Sequence, residues 1–431
     1  MRPDWESGLR GRIYAIGRRL TPLALRRALR RHVRTEELLG IRKPPVELPR
    51  FDFDPGRARP GRPDILVLPV IAWSYRRQRP QQLAEALARR GLRVFYGSLE
   101  GSGEPREATG VAPGVMLLPL EGVRREDPAD RRLQDPALAA ALEGLSAARA
   151  RLNLEDVVLL VESPFWAPLA AALRARFGWR TAYDCLDAHE GFSTNRAGIF
   201  DQAERAAAAD ADLVVATSEN LRRRMTAWNP GARLLPNACD FALFASLPDP
   251  APQAGRLRVG YTGAVDAWFD MDLVAGLARL RPSWSFEIVG GLEDATLAAP
   301  RLPNLVFRGE RPHREMPGFR AGFDVEIIPF RLSALTHATD PVKLYEAAAA
   351  GRMIVATPME SLEPFARRGV VRLAATAEEF ARAIEEAAAG GAAGAQRQRA
   401  FARENTWDIR AGTLDGWLTE MPRRDTVSPQ P

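Results

Sequence analysis

Short apolar runs, spaced along the chain and separated by helical patterns, limit its fold more than any other feature. Asp64–Ile71 (DILVLPVI) is the first, followed by helical residues 80–90 and strands at Val94–Tyr96 and Val115–Leu118. A helix near 136–150 leads to Val157–Val161, a second helix to Thr181–Tyr183, and Leu213–Ala216 precedes helical Leu221–Trp228. Continuous apolar runs of this length suit strands buried on both faces, and strands alternating with helices give a parallel sheet. Residues 236–255 hold Pro236, Pro248, Pro250 and Pro252 and read as a crossing between domains. The alternation restarts at Leu257–Tyr261 and continues through Phe286–Val289, Leu305–Phe307, Val325–Ile328 and Ile354–Ala356, with helices from about 375 to 421. At 431 residues the chain is long enough for two cores. The expected fold is therefore α/β, with two Rossmann-type domains at 62–240 and 256–400. Ligands of such sheets bind outside the carboxyl ends of the strands, which places a cleft between the two.

The stretch 329–358, PFRLSALTHATDPVKLYEAAAAGRMIVATP, concentrates the chemistry. Asp340 reads as a helix N-cap, Pro341 as the first helical residue and Gly351 as the stop after Ala350. Lys343 and Glu346 are three apart and share a face. A lysine in a first helical turn opposes the helix dipole unless an anion binds there, and free amides beside an ammonium make a phosphate site. Glu346, one turn on, is placed to accept hydrogen bonds from a ribose. A solvated Lys/Glu pair is the alternative. Against it, Lys43 and Lys343 are the only lysines of the chain; every other strong base is Arg.

This stretch resembles the nucleotide-sugar site of GT-B glycosyltransferases, in particular the retaining enzymes of family 4. The resemblance implies that Glu346 binds the nucleotide ribose and that Lys343 meets the diphosphate. It departs at Ala338, where the family often has a second glutamate at the donor sugar; His337 and Thr339 flank that position as donor-side candidates, and Arg331 precedes them in the same loop. Gly263, in VGYTGAV after the first strand of the second half, matches the family's glycine-bearing loop beside the diphosphate. ENTWDIRAGTLDGWL resembles the final helix of the fold, which implies that residues 401–421 return to the first domain.

Two turns of the first half are polar at strand ends. Arg76, Arg77 and Arg79 lie in WSYRRQRP, and W…RPQQLAEALARRG resembles the first strand–helix turn of bacterial cell-surface glycosyltransferases, including teichuronic acid types. Diphosphate or acceptor contact is the expected role, a solvated basic turn the alternative. YDCLDAHEGF resembles the same subgroup. Its Asp184, Asp187 and His189 are candidates for orienting the acceptor hydroxyl or taking its proton; capping of the next helix and pairing with Arg196 are the structural alternatives. Glu162 ends the preceding strand and is expected at the same cleft.

Residues 1–43 hold twelve basic and four acidic residues, a net +8, so the rest of the chain carries about −2 of the total +6. The body is therefore no nucleic-acid binder. Leu25, Leu29 and Val33 recur at helical spacing among arginines, which suits either a helix on an anionic membrane surface or one packed on the protein body. Residues 44–61 are proline-rich and linker-like. No apolar run reaches the roughly 18 residues of a membrane helix, and the N-terminus lacks a leader's apolar core. Cys185 and Cys239 have no metal-like spacing and read as reduced, buried thiols of a cytoplasmic protein, docked on the inner face of the membrane if residues 1–43 bind lipid.

The expected activity is metal-independent, cofactor-free and retaining transfer of a sugar from a nucleoside diphosphate sugar to a hydroxyl of a polysaccharide or lipid-linked acceptor. A nucleotide-sugar epimerase on the same fold and a catalytically silent, membrane-docked binding protein of a polysaccharide assembly are the alternatives. Ala338 keeps the second of these open.

Overall fold

The computed structural model describes residues 61–422, apart from 101–103, 105–106, 125–132, 134, 189–197, 252–255 and 292–299, together with residues 48, 50 and 51. The basic segment 1–43 and His189 lie outside the described residues.

Strands β1 (Asp64–Leu68), β2 (Val94–Glu100), β3 (Thr109–Ala112), β4 (Val115–Arg124), β5 (Val157–Val161), β6 (Arg180–Cys185), β7 (Leu213–Ala216) and β8 (Arg233–Leu234) form one sheet. Its order is β3-β4-β2-β1-β5-β6-β7-β8, and only the β3–β4 pair is antiparallel. The second sheet holds β9 (Arg258–Thr262), β10 (Ser285–Val289), β11 (Leu305–Gly309), β12 (Val325–Ile328), β13 (Met353–Ala356) and β14 (Arg372–Leu373), in the order β11-β10-β9-β12-β13-β14 and parallel throughout. The two Rossmann-type halves expected from the apolar runs are present.

The runs are apolar because both faces of each central strand are covered. Leu66, Leu68, Leu159 and Val161 pack into one cluster, while Ile65, Val67, Val158 and Leu160 pack into the cluster on the other face. Alternate side chains of a strand point to opposite faces, so a strand sandwiched between helices tolerates no polar position. The C-terminal helix Trp407–Glu420 joins the second of those clusters. It sets Trp407, Ala411, Leu414 and Leu418 against Leu83 and Leu87 of the helix Arg79–Arg89. Its start is capped by the Thr406 hydroxyl, which accepts from the Ile409 amide. The final helix thus returns to the first domain. The chain's two passages between domains are tied together where Cys239 N–H donates to Asn405 O and Trp407 N–H donates to Cys239 O. Both cysteines are buried.

Strand order reverses between β1 and β5 in the first sheet and between β9 and β12 in the second. Such switch points open a crevice at the carboxyl edge. The loops that leave β1, β9 and β12 are those that carry Arg76, Gly263 and Arg331. Among the described residues no helix is long and apolar enough to cross a membrane.

Candidate active site

Three pieces of the second domain converge on Lys343. The loop after β9 supplies Gly263, whose φ of +140° lies outside the range most side chains accept. A methyl group there would stand 2.5 Å from Lys343 Cε and 2.8 Å from Nζ, so the lysine stem lies directly on the glycine backbone. Tyr261 and Phe330, at the ends of β9 and β12, place their rings 5.5 and 5.1 Å from Nζ. Aromatic faces attract the ammonium but do not hydrate it. Burial pushes the Lys343 pKa down to about 8, against the pull of Glu346.

The helix Val342–Ala349 begins without a side-chain cap. This corrects the reading of Asp340 as its N-cap. The Asp340 carboxylate instead accepts from the Asn237 amide at 2.6 Å and from the Tyr345 hydroxyl at 2.9 and 3.1 Å. It is turned into the junction between the domains, where burial pushes its pKa up to about 6. The first amides of the helix are left without a protein side chain to accept from them, as an anion site requires. Gly351, with φ +71°, ends the helix as read.

Glu346 is held by groups that no local sequence pattern pairs with it. His313 Nε2 lies 2.8 Å from one carboxylate oxygen, and Arg320 donates to the other at 2.8 Å. Arg320 is fully buried; it also donates to both oxygens of Glu326 and to the Thr262 hydroxyl. Burial opposes the Glu346 charge, but the His313 hydrogen bond, Arg320 and Lys343 outweigh it and hold the carboxyl below its usual pKa. A carboxylate has four acceptor positions, so two protein donors leave room for ribose hydroxyls. The signal that could have found this network is Glu326, a charge inside the apolar strand β12, which must have a buried partner. A cleft of about 350 Å³ opens beside His313, lined also by Arg77, Asp240, Leu243, Pro312 and Arg314.

The first-domain candidates divide. Arg76 donates to Glu310 of the second domain at 2.8 and 3.2 Å. Arg77 folds back onto its own helix and pairs with Glu85 at 2.5 and 2.6 Å. Arg79 and Asp184 form a two-point ion pair at 2.9 and 3.0 Å, with both residues buried. Each is thus engaged by the other, where diphosphate or acceptor contact was expected of Arg79 and acceptor contact of Asp184. Asp184 belongs to β6 itself, and its charge is spent on Arg79, which also ties down the carbonyls of Leu235 and Pro236. Glu162 is likewise fully buried, and burial raises its pKa well above the usual carboxylate value.

Asp187, three residues beyond Asp184, faces the other domain. It accepts from the Thr339 hydroxyl at 3.5 Å, and its charge and that of Lys343 act on each other. Burial pushes its pKa up to about 7. Ala338 is packed into the first-domain cluster, with its carbonyl accepting from the Ser218 hydroxyl at 2.6 Å. His337 Nδ1 accepts from the Glu360 amide, and Arg331 meets the exposed Asp272 at 3.3 Å. Neither is drawn into the Lys343–Glu346 group by a hydrogen bond.

The depressed Lys343 pKa gives a pH prediction. The folded pKa, about 8, lies below the ordinary 10.5, so the lysine loses its proton in the protein before it would in the open chain. A bound diphosphate favours the charged form. The lysine's contribution to diphosphate affinity is therefore expected to be constant below about pH 8 and to fall above it, with proton uptake on binding in the falling range. Calorimetry in buffers of different ionisation enthalpy measures both, and an affinity unchanged to about pH 9.5 with no proton uptake would show that the lysine does not titrate in that range.

The chain matches the family models described as glycosyl transferase 4-like domain, over residues 77–238, and glycosyl transferases group 1, over residues 256–389. It is 26% identical over 218 residues to the putative teichuronic acid biosynthesis glycosyltransferase TuaH of Bacillus subtilis; the match covers 45% of this chain and about half, 54%, of that protein. Among solved structures, sucrose-phosphate synthase from Thermosynechococcus elongatus superposes with a TM-score of 0.63 at 18% identity, covering 83% of this chain and 98% of its own. HepE of Anabaena, in complex with UDP, gives 0.58 at 16% identity, covering 83% and 99%. At these identities the structural likeness is one of fold.

Proposed function

This chain belongs to the group 1 glycosyltransferases, and from that premise we propose that it moves a sugar from a nucleoside diphosphate sugar to a hydroxyl of a polysaccharide or lipid-linked acceptor. The observation that carries this reading is the Lys343–Gly263–Glu346 group. It joins a desolvated ammonium, a backbone without a side chain and an ionised carboxylate on one helix face. Lys343 and the uncapped amides stabilise the departing diphosphate, which is catalysis by preorganised charge and calls for no metal or cofactor. Glu346 binds the ribose. Asp187, with its pKa near neutrality, orients the acceptor hydroxyl or takes its proton from the first domain, and Thr339 fixes its carboxylate. His189, two residues further along the sequence, is kept as a candidate for the same role in this reading.

The names of similar proteins support the substrate class. TuaH is described as acting in teichuronic acid biosynthesis, and HepE has been solved with UDP and with UDP-glucose. A lipid-linked acceptor would be met at the inner face of a membrane through residues 1–43. Retention of configuration follows the family pattern. A panel of UDP-, GDP-, TDP- and ADP-sugars tests the reading. At least one is expected to raise the melting temperature of the purified chain and to be split into nucleoside diphosphate and sugar. If none of the four stabilises the protein, the donor assignment is wrong. If the sugar is isomerised with no glycosyl transfer or hydrolysis, the epimerase alternative holds.

A further inference from the structure

Among the described residues, an ion pair spans the cleft between the carboxyl edges of the two sheets. Arg76 leaves the loop after β1, and Glu310 directly follows β11. The guanidinium meets the carboxylate at two points, Nε to Oε1 at 2.8 Å and Nη2 to Oε2 at 3.2 Å. The pair is not isolated from the site. The charge of Arg76 acts on Lys343 and on Tyr261, the ring beside the ammonium. Two cations, one from each domain, are therefore close enough that each disfavours the other's charge, which an anion bound between them would relieve. Glu310 supplies one carboxylate. A phosphate offers two oxygens to a guanidinium in a similar two-point contact, with more charge. Both partners are partly exposed, with side-chain exposures of 23% and 41%, so their pairing is weak and easily exchanged.

We propose that Glu310 is a placeholder for the donor diphosphate: it holds Arg76 across the cleft until the donor arrives and then yields the guanidinium to the phosphates. The inference rests on the nucleoside diphosphate reading. It makes Arg76 the first domain's cation on the donor and Glu310 an internal competitor that sets donor affinity. It also means that donor exchange for Glu310 replaces a contact that joins the domains by another that joins them more strongly.

A double-mutant cycle on the full chain tests this, with inorganic diphosphate as the probe so that no choice of base is needed. Glu310→Gln is expected to tighten diphosphate binding roughly two- to fivefold, the equilibrium equivalent of one exposed ion pair. Arg76→Gln should weaken it by a similar factor, and the double variant should bind like Arg76→Gln alone. A gain that persists without Arg76 would show a general charge effect and overturn the placeholder role, as would a Glu310→Gln protein that binds no more tightly. Wild-type protein that binds neither diphosphate nor any nucleoside diphosphate sinks the donor reading and this inference with it. Binding by the wild type with no coupling in the cycle sinks this inference alone.

Discussion

Lys343→Ala is expected to cut sugar transfer by at least about tenfold, and to weaken nucleoside diphosphate binding, without lowering the melting temperature. The two halves of this result have one cause. The ammonium is seated on Gly263 and between the rings of Tyr261 and Phe330, where burial depresses its pKa to about 8. A cation whose folded pKa lies below its unfolded value destabilises the fold at all pH values below the folded pKa, and the deficit shrinks as pH rises toward 10.5. Alanine removes the deficit. A lysine that is a liability to the empty protein is retained for what it does to an anion, and its removal trades activity for stability. Steady-state kinetics with a responsive donor, beside thermal unfolding, decide the matter. Unchanged turnover with a fall in melting temperature would make Lys343 a structural residue and leave the site without its central charge.

Different parts of this molecule were legible for different physical reasons. The central strands could be read because burial on both faces leaves them unbroken apolar runs, as in Val157–Val161 and Met353–Ala356. Thr109–Ala112 escaped notice: it is a short antiparallel edge strand containing glycine, and no periodicity marks it. Lys343 and Glu346 could be paired because helix geometry alone puts residues three apart on one face. Their surroundings could not. His313 and Arg320 reach Glu346 from 33 and 26 residues away, through tertiary packing that no local pattern encodes. Asp184 and Asp187 show the limit most sharply. They are three residues apart in YDCLD, and which one faces a ligand depends on where the strand ends. The strand ends at Cys185, so Asp184 is inside with Arg79 and Asp187 is outside with Thr339.

Arg320→Met is expected to destabilise the second domain by about 3–5 kcal/mol, the usual consequence of leaving one member of a buried ion pair alone. Arg320 has no exposed surface and donates to Glu326 at 2.7 Å to each oxygen; Glu326 is itself buried, in the middle of β12. With the guanidinium gone, Glu326 must take up a proton or drag water into the core. Replacing both, Arg320→Met with Glu326→Leu, removes the stranded charge, and well-packed apolar residues commonly serve as well as a buried ion pair. Most of the lost stability should return in the double variant, as read from urea unfolding. Nucleoside affinity should not return with it. Arg320 also donates to Glu346 at 2.8 Å, and the double variant leaves that carboxylate to the His313 hydrogen bond and the Lys343 charge. Burial then acts on Glu346 with one fewer opposing charge, so its pKa rises and its grip on ribose hydroxyls loosens. Binding of a nucleoside diphosphate, compared with that of inorganic diphosphate, isolates this loss. If stability and nucleoside affinity recover together, Arg320 serves only the fold; if stability alone recovers, it positions the residue that reads the ribose.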